Sequence, residues 1–556
     1  MAPDLLRAIP LGGVGEIGKN STLFECRDDL VLIDAGVKFP DERLHGVDLV
    51  IPDYTYLLEH VDRLRGVLIT HGHEDHIGGL PYLLMQMENP EPLAIYGTRL
   101  SLGLITVKLQ EHGLLGRVRL EAFDDGDRIT LGAIQAEVFE VNHSVPGAVG
   151  FVLRTPVGTV FFTGDFKFDP DPPDGKTTDM DRLRQLGDEG ILALFSDCTR
   201  VEQPGWTPSE RTVDESIEQL IREASGRVIV TTFASNLGRL QRVIQSAHRL
   251  GRRTSVAGRS MEENLKVAAK IGYLNIPDGS MVELKQVASV APDKLVLLTT
   301  GSQGEPTSVL SRMAAGEHPL VKVQPTDTVI YSASPIPGNE DTVAHSIDNL
   351  FRRGANVIYR AINDKIHVSG HASREELRQM IDLLRPRYTI PLHGEFRMLV
   401  LYRELAMEAG LPSRNVLLTE IGDVVEFEEG EGRVTSHVTA GAVLVDGLTI
   451  GDVTRVVLRD RHRLASDGVL IASIVVDRES GDLLSGPDFI SRGFIDPAQD
   501  GVLEDARVTL SKSLDKALRS AHESGILANR VREVLSGFIY ERTRRRPMIL
   551  PVVTEV

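Results

Sequence analysis

The 556-residue sequence predicts a multidomain α/β protein, and three observations carry that prediction. The first 200 residues read as short β-rich runs broken by Gly and Asp turns. From Gly226 the rhythm changes to strand and helix in alternation, the pattern of a parallel α/β layer. Near the C-terminus a charged stretch leads into a small α/β unit. A chain of this length exceeds the roughly 250–300 residues at which one core stops growing, so two or three domains are expected.

Taken in order, the early strands are Leu30 to Ile33, Val67 to Thr70, Ala148 to Leu153 and Thr159 to Thr163, and several end directly in polar residues. The second region starts with Val228 to Thr232, followed by a helix from about Asn236 to Leu250, a strand Thr254 to Ala257 and a helix from about Met261 to Ile271. Leu295 to Thr299, Thr328 to Tyr331 and Asn356 to Tyr359 continue it as buried-strand candidates. A helix follows Glu395 to about Ala409, and short strands run on to Val445. Gly447 to Gly468 is charged and weakly patterned, hence a connector. Val469 to Val476, a helical region from about Leu510 to Tyr540 and a strand Met548 to Val553 complete the last unit.

Composition narrows the function. Hydrophobic residues make up 42% and charged residues 25%, and no apolar run approaches the roughly 20 residues of a membrane span. The N-terminal residues lack a basic stretch followed by a long apolar one, so no secretory signal is visible and a cytoplasmic protein without membrane contact is expected. With only Cys26 and Cys198, neither a disulfide framework nor a cysteine-rich zinc module is possible. Any metal must be held by His and carboxylates. The net charge of -18 excludes nucleic-acid binding by overall electrostatics and leaves room only for a local basic track. The nearest cluster, Arg542, Arg544, Arg545 and Arg546, reads as a solvated helix end.

The strongest motif is LITHGHEDHIGG, in which an apolar strand runs into His71, Gly72, His73, Glu74, Asp75 and His76. A tight turn after a strand lets His71 and His73 point the same way while Asp75 and His76 reach round to a second ion. Imidazole and carboxylate donors without thiolate suit Zn or Mn. Downstream, NHSVPG supplies His143 after one strand, and FFTGDFKFD supplies Asp165 after another. Each alone would be an ordinary His or turn Asp; their order and their strand-end positions mark them as ligands. The Thr163-Gly164 turn presents Asp165 so that it can bridge two cations, as two-metal hydrolysis requires.

The order H-x-H-x-D-H, His, Asp, His resembles the metallo-β-lactamase fold, an αββα sandwich with its metals at one edge. The last ligand is then His393 in PLHGE, and the long gap between Asp165 and His393 implies an insertion, which resembles the β-CASP cap of nucleic-acid hydrolases. Asp197 in LFSDCT, His371 in HVSGHAS and His393 match the three cap-family motifs in order, and His at the third is similar to RNA-processing members. TFASN at 232 to 236, YSASPIPGNE at 331 to 340 and RRPMILPVVTEV at 545 to 556 resemble bacterial RNase J.

That resemblance implies a metallo-β-lactamase domain in two parts, 1–220 and 363–447, a β-CASP cap at 221–362, a linker at 448–468 and a C-terminal α/β domain at 469–556. It implies a 5′ to 3′ exonuclease with some endonuclease activity, acting on the single-stranded 5′ ends of RNA with two divalent metal ions per subunit. His371, oriented by Asp197, is the expected proton donor to the leaving 3′ oxygen. The 5′ monophosphate is expected against His367, Val368, Ser369, Gly370 and His371, with Ser332 and Ser334 at the end of a cap strand. A structural calcium is expected near Asp48 and Asp446. The C-terminal unit is expected to form a homodimer, and other RNA-decay proteins are further expected partners. The alternatives are a related β-CASP DNA nuclease, an endonuclease of the RNA 3′-end processing type, a small-thioester hydrolase and a catalytically silent RNA-binding scaffold subunit. His393, the cap and the complete ligand set weigh against them.

Overall fold

Side chains alternate between two cores in the first sheet, and this alternation builds the scaffold of the site. In the strand Ser21–Cys26 of the computed structural model, Phe24 and Cys26 enter one core while Leu23 enters another. Leu6 and Ala8 pair in the same sense against Ile9 and Leu11, and Val31 and Ile33 against Leu30 and Leu32, as period-2 strands with both faces covered must. The structure describes residues 4–41, 43–88, 91–305, 307–336, 339–447, 449–478, 480, 482–495, 501–517 and 524–556. Pro337 and Gly338 of the YSASPIPGNE motif, and 518–523 of the expected C-terminal helical stretch, lie outside them.

Contacts divide the chain into one unit of Met1–Phe39 with Val50–Val443 and a second of Pro40–Leu49 with Leu444–Val556. In the first unit an eight-stranded sheet runs in the order Glu431–His437, Asp423–Glu428, Leu5–Gly12, Ser21–Cys26, Asp29–Ile33, Leu64–Leu68, Leu93–Gly97, Val118–Ala122. A six-stranded sheet runs in the order Tyr388–Leu392, Ala193–Asp197, Thr159–Phe162, Val149–Arg154, Ile134–Glu140, Arg128–Leu131. Phe24 of the first sheet meets Phe195 of the second edge to face, with ring centroids 5.2 Å apart. Helices cover both outer faces: Leu80–Gln86 and Arg99–Glu111 on one side, Met180–Glu189, Arg374–Leu384 and Phe396–Glu408 on the other. This is the αββα sandwich.

The cap is a five-stranded, wholly parallel sheet in the order Arg253–Ala257, Leu295–Thr299, Val228–Thr231, Thr328–Tyr331, Asn356–Ile358. Its strands are buried on both faces by separate cores. Two boundaries differ from the expected 221–362. The helix Glu210–Glu223 already sends Val213, Ile217 and Ile221 into the cap core, and Ile366 and Val368 return to it beyond the last strand. Leu100 and Val145 of the sandwich also join that core.

The second unit is a three-stranded sheet, Leu483–Arg492, Val469–Val476 and Met548–Glu555, with the helices Val502–Ala517 and Ser524–Thr543. Leu470, Ala472, Ile474 and Val476 face Leu510, Leu514, Val531 and Leu535. The stretch expected as a linker carries the helix Arg455–Asp467, capped by the Thr454 hydroxyl. Pro40–Leu49, expected in the first domain, belongs to this unit because Arg461 donates to the carbonyls of His45 and Gly46, and the His45 ring stacks on His462. Among the described residues no helix is long and apolar enough to cross a membrane.

Candidate active site

Every predicted ligand follows a strand at one edge of the sandwich. The strand Leu64–Leu68 leads to His71, which is fully buried, and His73 directly precedes the short helix Glu74–Ile77 that holds Asp75 and His76. The strands Ile134–Glu140, Thr159–Phe162 and Tyr388–Leu392 lead to His143, Asp165 and His393. Two turns need left-handed backbone to aim these side chains. Gly164 has φ 57°, and a Cβ there would lie 2.7 Å from the Val149 carbonyl; His393 itself has φ 50°.

The seven residues converge into two groups. His71, His73, His143 and Asp165 form one, Asp75, His76 and His393 the other, each with its donor atoms within 4.8 Å of one another. Asp165 joins them: its Oδ2 lies 3.2 Å from His76 Nε2, 3.7 Å from His71 Nε2 and 3.8 Å from His143 Nε2, and its Oδ1 lies 3.0 Å from His393 Nδ1. Asp165 thus stands between the two groups.

The donor chemistry fits divalent cations. His73 Nδ1 sits 3.0 Å from His71 Nε2 and 3.2 Å from His143 Nε2, so three imidazole nitrogens crowd together with too few protons to pair their lone pairs. Burial pushes His71 and His143 well below the ordinary range and His73 down to about 4, which leaves all three rings neutral. In the second group burial acts against charge, yet Asp165, Asp75 and Asp34 together raise His76 well above the ordinary range, and Asp165 and Asp75 raise His393 to about 10. His393 Nε2 is buried without a hydrogen bond although Asp75 Oδ2 lies 3.2 Å away. A divalent cation bound here would take the place of these protons.

Outer partners orient the ligands. Asp34 Oδ2, 2.7 Å from His76 Nδ1, holds that ring so that Nε2 faces Asp165, and the Asp34 carboxylate is held in turn by the Thr70 N–H and hydroxyl. His143 Nδ1 is 2.9 Å from the Gly370 carbonyl, which aims its Nε2 inward. Asn20 Nδ2 lies 2.9 Å from His76 Nε2 and 3.2 Å from the Asp75 carbonyl. Sequence reasoning missed Asp34 and Asn20; the signal for Asp34 was a carboxylate directly after the buried strand Asp29–Ile33, before Ala-Gly.

Beside the ligands, His371 Nδ1 is 2.8 Å from Asp197 Oδ2, the predicted pair. The other Asp197 oxygen accepts from the N–H and hydroxyl of Thr199, whose hydroxyl is also 2.6 Å from the His393 carbonyl. The expected phosphate pocket is mixed. His367, Ser369 and Ser334 are half-buried at its surface, but Val368 is buried and packs into the cap core. Ser332 is fully buried, its hydroxyl spent on the Ile366 carbonyl and on Arg239. The Ser369 hydroxyl accepts from the His371 N–H, so the turn is closed on itself. Sequence reasoning missed the cations here. Arg239 Nη1 donates to His367 Nδ1 at 2.9 Å, Arg360 donates to the Ser334 hydroxyl, and Arg239, Arg360, Arg200 and Lys167 add to burial in holding His367 well below the ordinary range.

The calcium expectation fares differently. Asp48 Oδ2 accepts from the Gly447 N–H, and the Asp446 carboxylate is paired with the Arg461 guanidinium, which already supplies the positive charge a calcium would bring.

Comparison with known proteins agrees with this geometry. Family models described as "Beta-lactamase superfamily domain", "Ribonuclease J, beta-CASP domain", "Zn-dependent metallo-hydrolase RNA specificity domain" and "Ribonuclease J C-terminal domain" match residues 30–185, 225–350, 354–417 and 456–556. Ribonuclease J 1 of Streptococcus pyogenes is 40% identical over 100% of this chain and 98% of its own length. Ribonuclease J2 of Bacillus subtilis is 39% identical over 99% of each, and Ribonuclease J of Thermus thermophilus 40% over 99% of this chain and 96% of its own. A crystal structure of an Enterococcus faecalis protein of unknown function aligns over 76% of this chain and 100% of its own with a TM-score of 0.52 at 15% identity, a likeness of fold alone. On the strength of similarity over the full length of the chain, it belongs to the ribonuclease J family.

Proposed function

We propose that this protein is a metal-dependent ribonuclease that hydrolyses RNA phosphodiesters at the Asp165 centre, from 5′-monophosphorylated single-stranded ends with some internal cleavage. The observation that carries the reading is the convergence of seven His and Asp ligands into two groups sharing Asp165, with the Asp197–His371 pair alongside, in a chain of this family. Two divalent cations, Zn or Mn, would be held by His71, His73, His143 and Asp165 and by Asp75, His76, His393 and Asp165. When bound, they supply the acidity that activates water near neutral pH and offset the charge that develops on the phosphate.

The chain's own groups do the rest. Asp197 holds the Nδ1 side of the His371 ring, which leaves Nε2 to deliver a proton to the departing 3′ oxygen. Arg239 donates to His367 Nδ1, so His367 carries its proton on Nε2 and presents a donor. With Arg200, Arg360 and Lys167 nearby, an anionic 5′ end finds positive charge beside the reacting centre, which supports the preference for a phosphorylated terminus. We also propose a homodimer built on the C-terminal unit, and a cytoplasmic location consistent with two free, buried cysteines. The test is product analysis on 5′-monophosphorylated, 5′-triphosphorylated and circular RNAs with Zn or Mn added to metal-stripped protein. Mononucleotides carrying 5′ phosphates, released fastest from the first substrate, are expected. Equal rates on all three overturn the 5′-end preference, and no cleavage overturns the ribonuclease assignment.

A further inference from the structure

Four aromatic rings are strongly exposed among the described residues: Phe39, Trp206, Phe351 and Phe396. Phe351 rests edge to face against Tyr359, with centroids 6.4 Å apart. The other three have no ring partner among the described residues. Phe396 follows His393 by three positions and opens the helix Phe396–Glu408. Phe39 follows Lys38, whose Cβ flanks Gly18 together with that of Asp75.

Trp206 is 55% exposed and is the chain's one tryptophan. Its loop is pinned on both sides. The Thr207 hydroxyl is 2.8 Å from the His371 carbonyl, the Thr207 N–H donates to Glu376, and the Gly205 carbonyl accepts from the Glu375 N–H. The same loop begins at Asp197 and Thr199, which hold His371 and His393, and Glu202 pairs with Arg397 next to Phe396. A large apolar ring left more than half exposed on a pinned loop contributes little to folding. It is suited to receive a flat partner.

We propose that Trp206 and Phe396, with Phe39, form a stacking rim on which bases of single-stranded RNA rest while the backbone crosses the metal centre. The inference rests on the ribonuclease reading and adds how the strand is held. A protein with net charge -18 cannot hold a polyanion by overall electrostatics, and stacking supplies affinity that does not depend on charge or on base identity.

The lone tryptophan makes the test direct. Full-length protein in EDTA is titrated with a 2′-O-methyl oligonucleotide, following tryptophan fluorescence and, separately, the anisotropy of a labelled strand. Saturable quenching that tracks the anisotropy is expected, whereas an abasic oligomer of equal length binds without quenching. Trp206→Ala should weaken binding of the normal oligomer by about 5- to 100-fold and of the abasic one hardly at all. Trp206→Phe should restore most of the loss. Full occupancy by anisotropy with unchanged fluorescence, or wild-type affinity in Trp206→Ala, overturns the rim and leaves the ribonuclease reading standing. Wild-type protein that neither binds nor cuts RNA overturns both.

Discussion

His371 stands beside Asp165 and His393, but its Nδ1 is held at 2.8 Å by Asp197, which lies outside the seven ligands. Replacing it with Ala should leave metal content unchanged and slow the chemical step by about 10²- to 10⁴-fold, the usual worth of a general acid. Single-turnover rates at saturating RNA check this, and an unchanged rate with weakened binding makes His371 a phosphate contact. A second residue-scale prediction concerns Asp214, in a cavity of about 280 Å³ that it shares with Arg239, Arg242, Tyr273 and the loop of His143. Burial pushes its carboxyl up to about 7, and Arg242, 3.5 Å away, only partly offsets this. The folded protein therefore holds this proton longer than the unfolded chain, so the group costs stability as pH rises from about 4 through 7. Asp214→Asn should raise stability at pH 8 by about 1–3 kcal/mol, with the gain shrinking towards pH 5. Thermal melts at the two pH values are the measurement.

At the scale of elements, the site depends on close approach between segments far apart in sequence. A Cβ on Gly370 would lie 2.5 Å from His143 Cε1 and 2.9 Å from the Ser144 N–H nitrogen, so Gly370→Ala should displace a ligand and lower both metal content and turnover while the far-ultraviolet spectrum stays unchanged. Mass spectrometry of bound metal decides it. The same scale explains what was legible beforehand. His71, His73, Asp75 and His76 lie in one run, so spacing alone betrayed them. His143, Asp165 and His393 are single residues whose order and strand-end positions gave them away only as a set. Arg239, Arg200 and Arg360 carry no local pattern; they meet because the cap sheet and the loop after Ala193–Asp197 bring them round His367. The strand Leu483–Arg492 escaped notice because Gly486 and Pro487 interrupt it, which an edge position in the sheet tolerates. The helix Glu210–Glu223 precedes the strand and helix alternation, so its sequence does not tie it to the cap.

At the scale of the molecule, the second unit covers one face of its sheet with two helices, and among the described residues the other face keeps large apolar side chains exposed. Ile490 and Leu550 flank Ile471 across that open face, and they are 53% and 42% exposed, with Val552 at 46%. A self-complementary pairing of this face about a two-fold axis is the simplest assembly that buries it. Leu550→Glu combined with Ile490→Glu should convert a dimer to a monomer without lowering metal content, as sedimentation at micromolar concentration would show. Monomeric wild-type protein, or a dimer untouched by both changes, places the interface elsewhere or removes it.

The central claim is that RNA hydrolysis runs on two cations shared through Asp165. It is tested most directly by adding Mn stepwise to stripped protein while counting bound metal and measuring cleavage of a 5′-monophosphorylated RNA, with Asp75→Ala as the comparison. The account predicts that cleavage appears as the second equivalent binds, and that Asp75→Ala binds fewer than two and stays inactive. Cleavage by metal-free protein, full activity at one equivalent, or two bound ions with full activity in Asp75→Ala would contradict it.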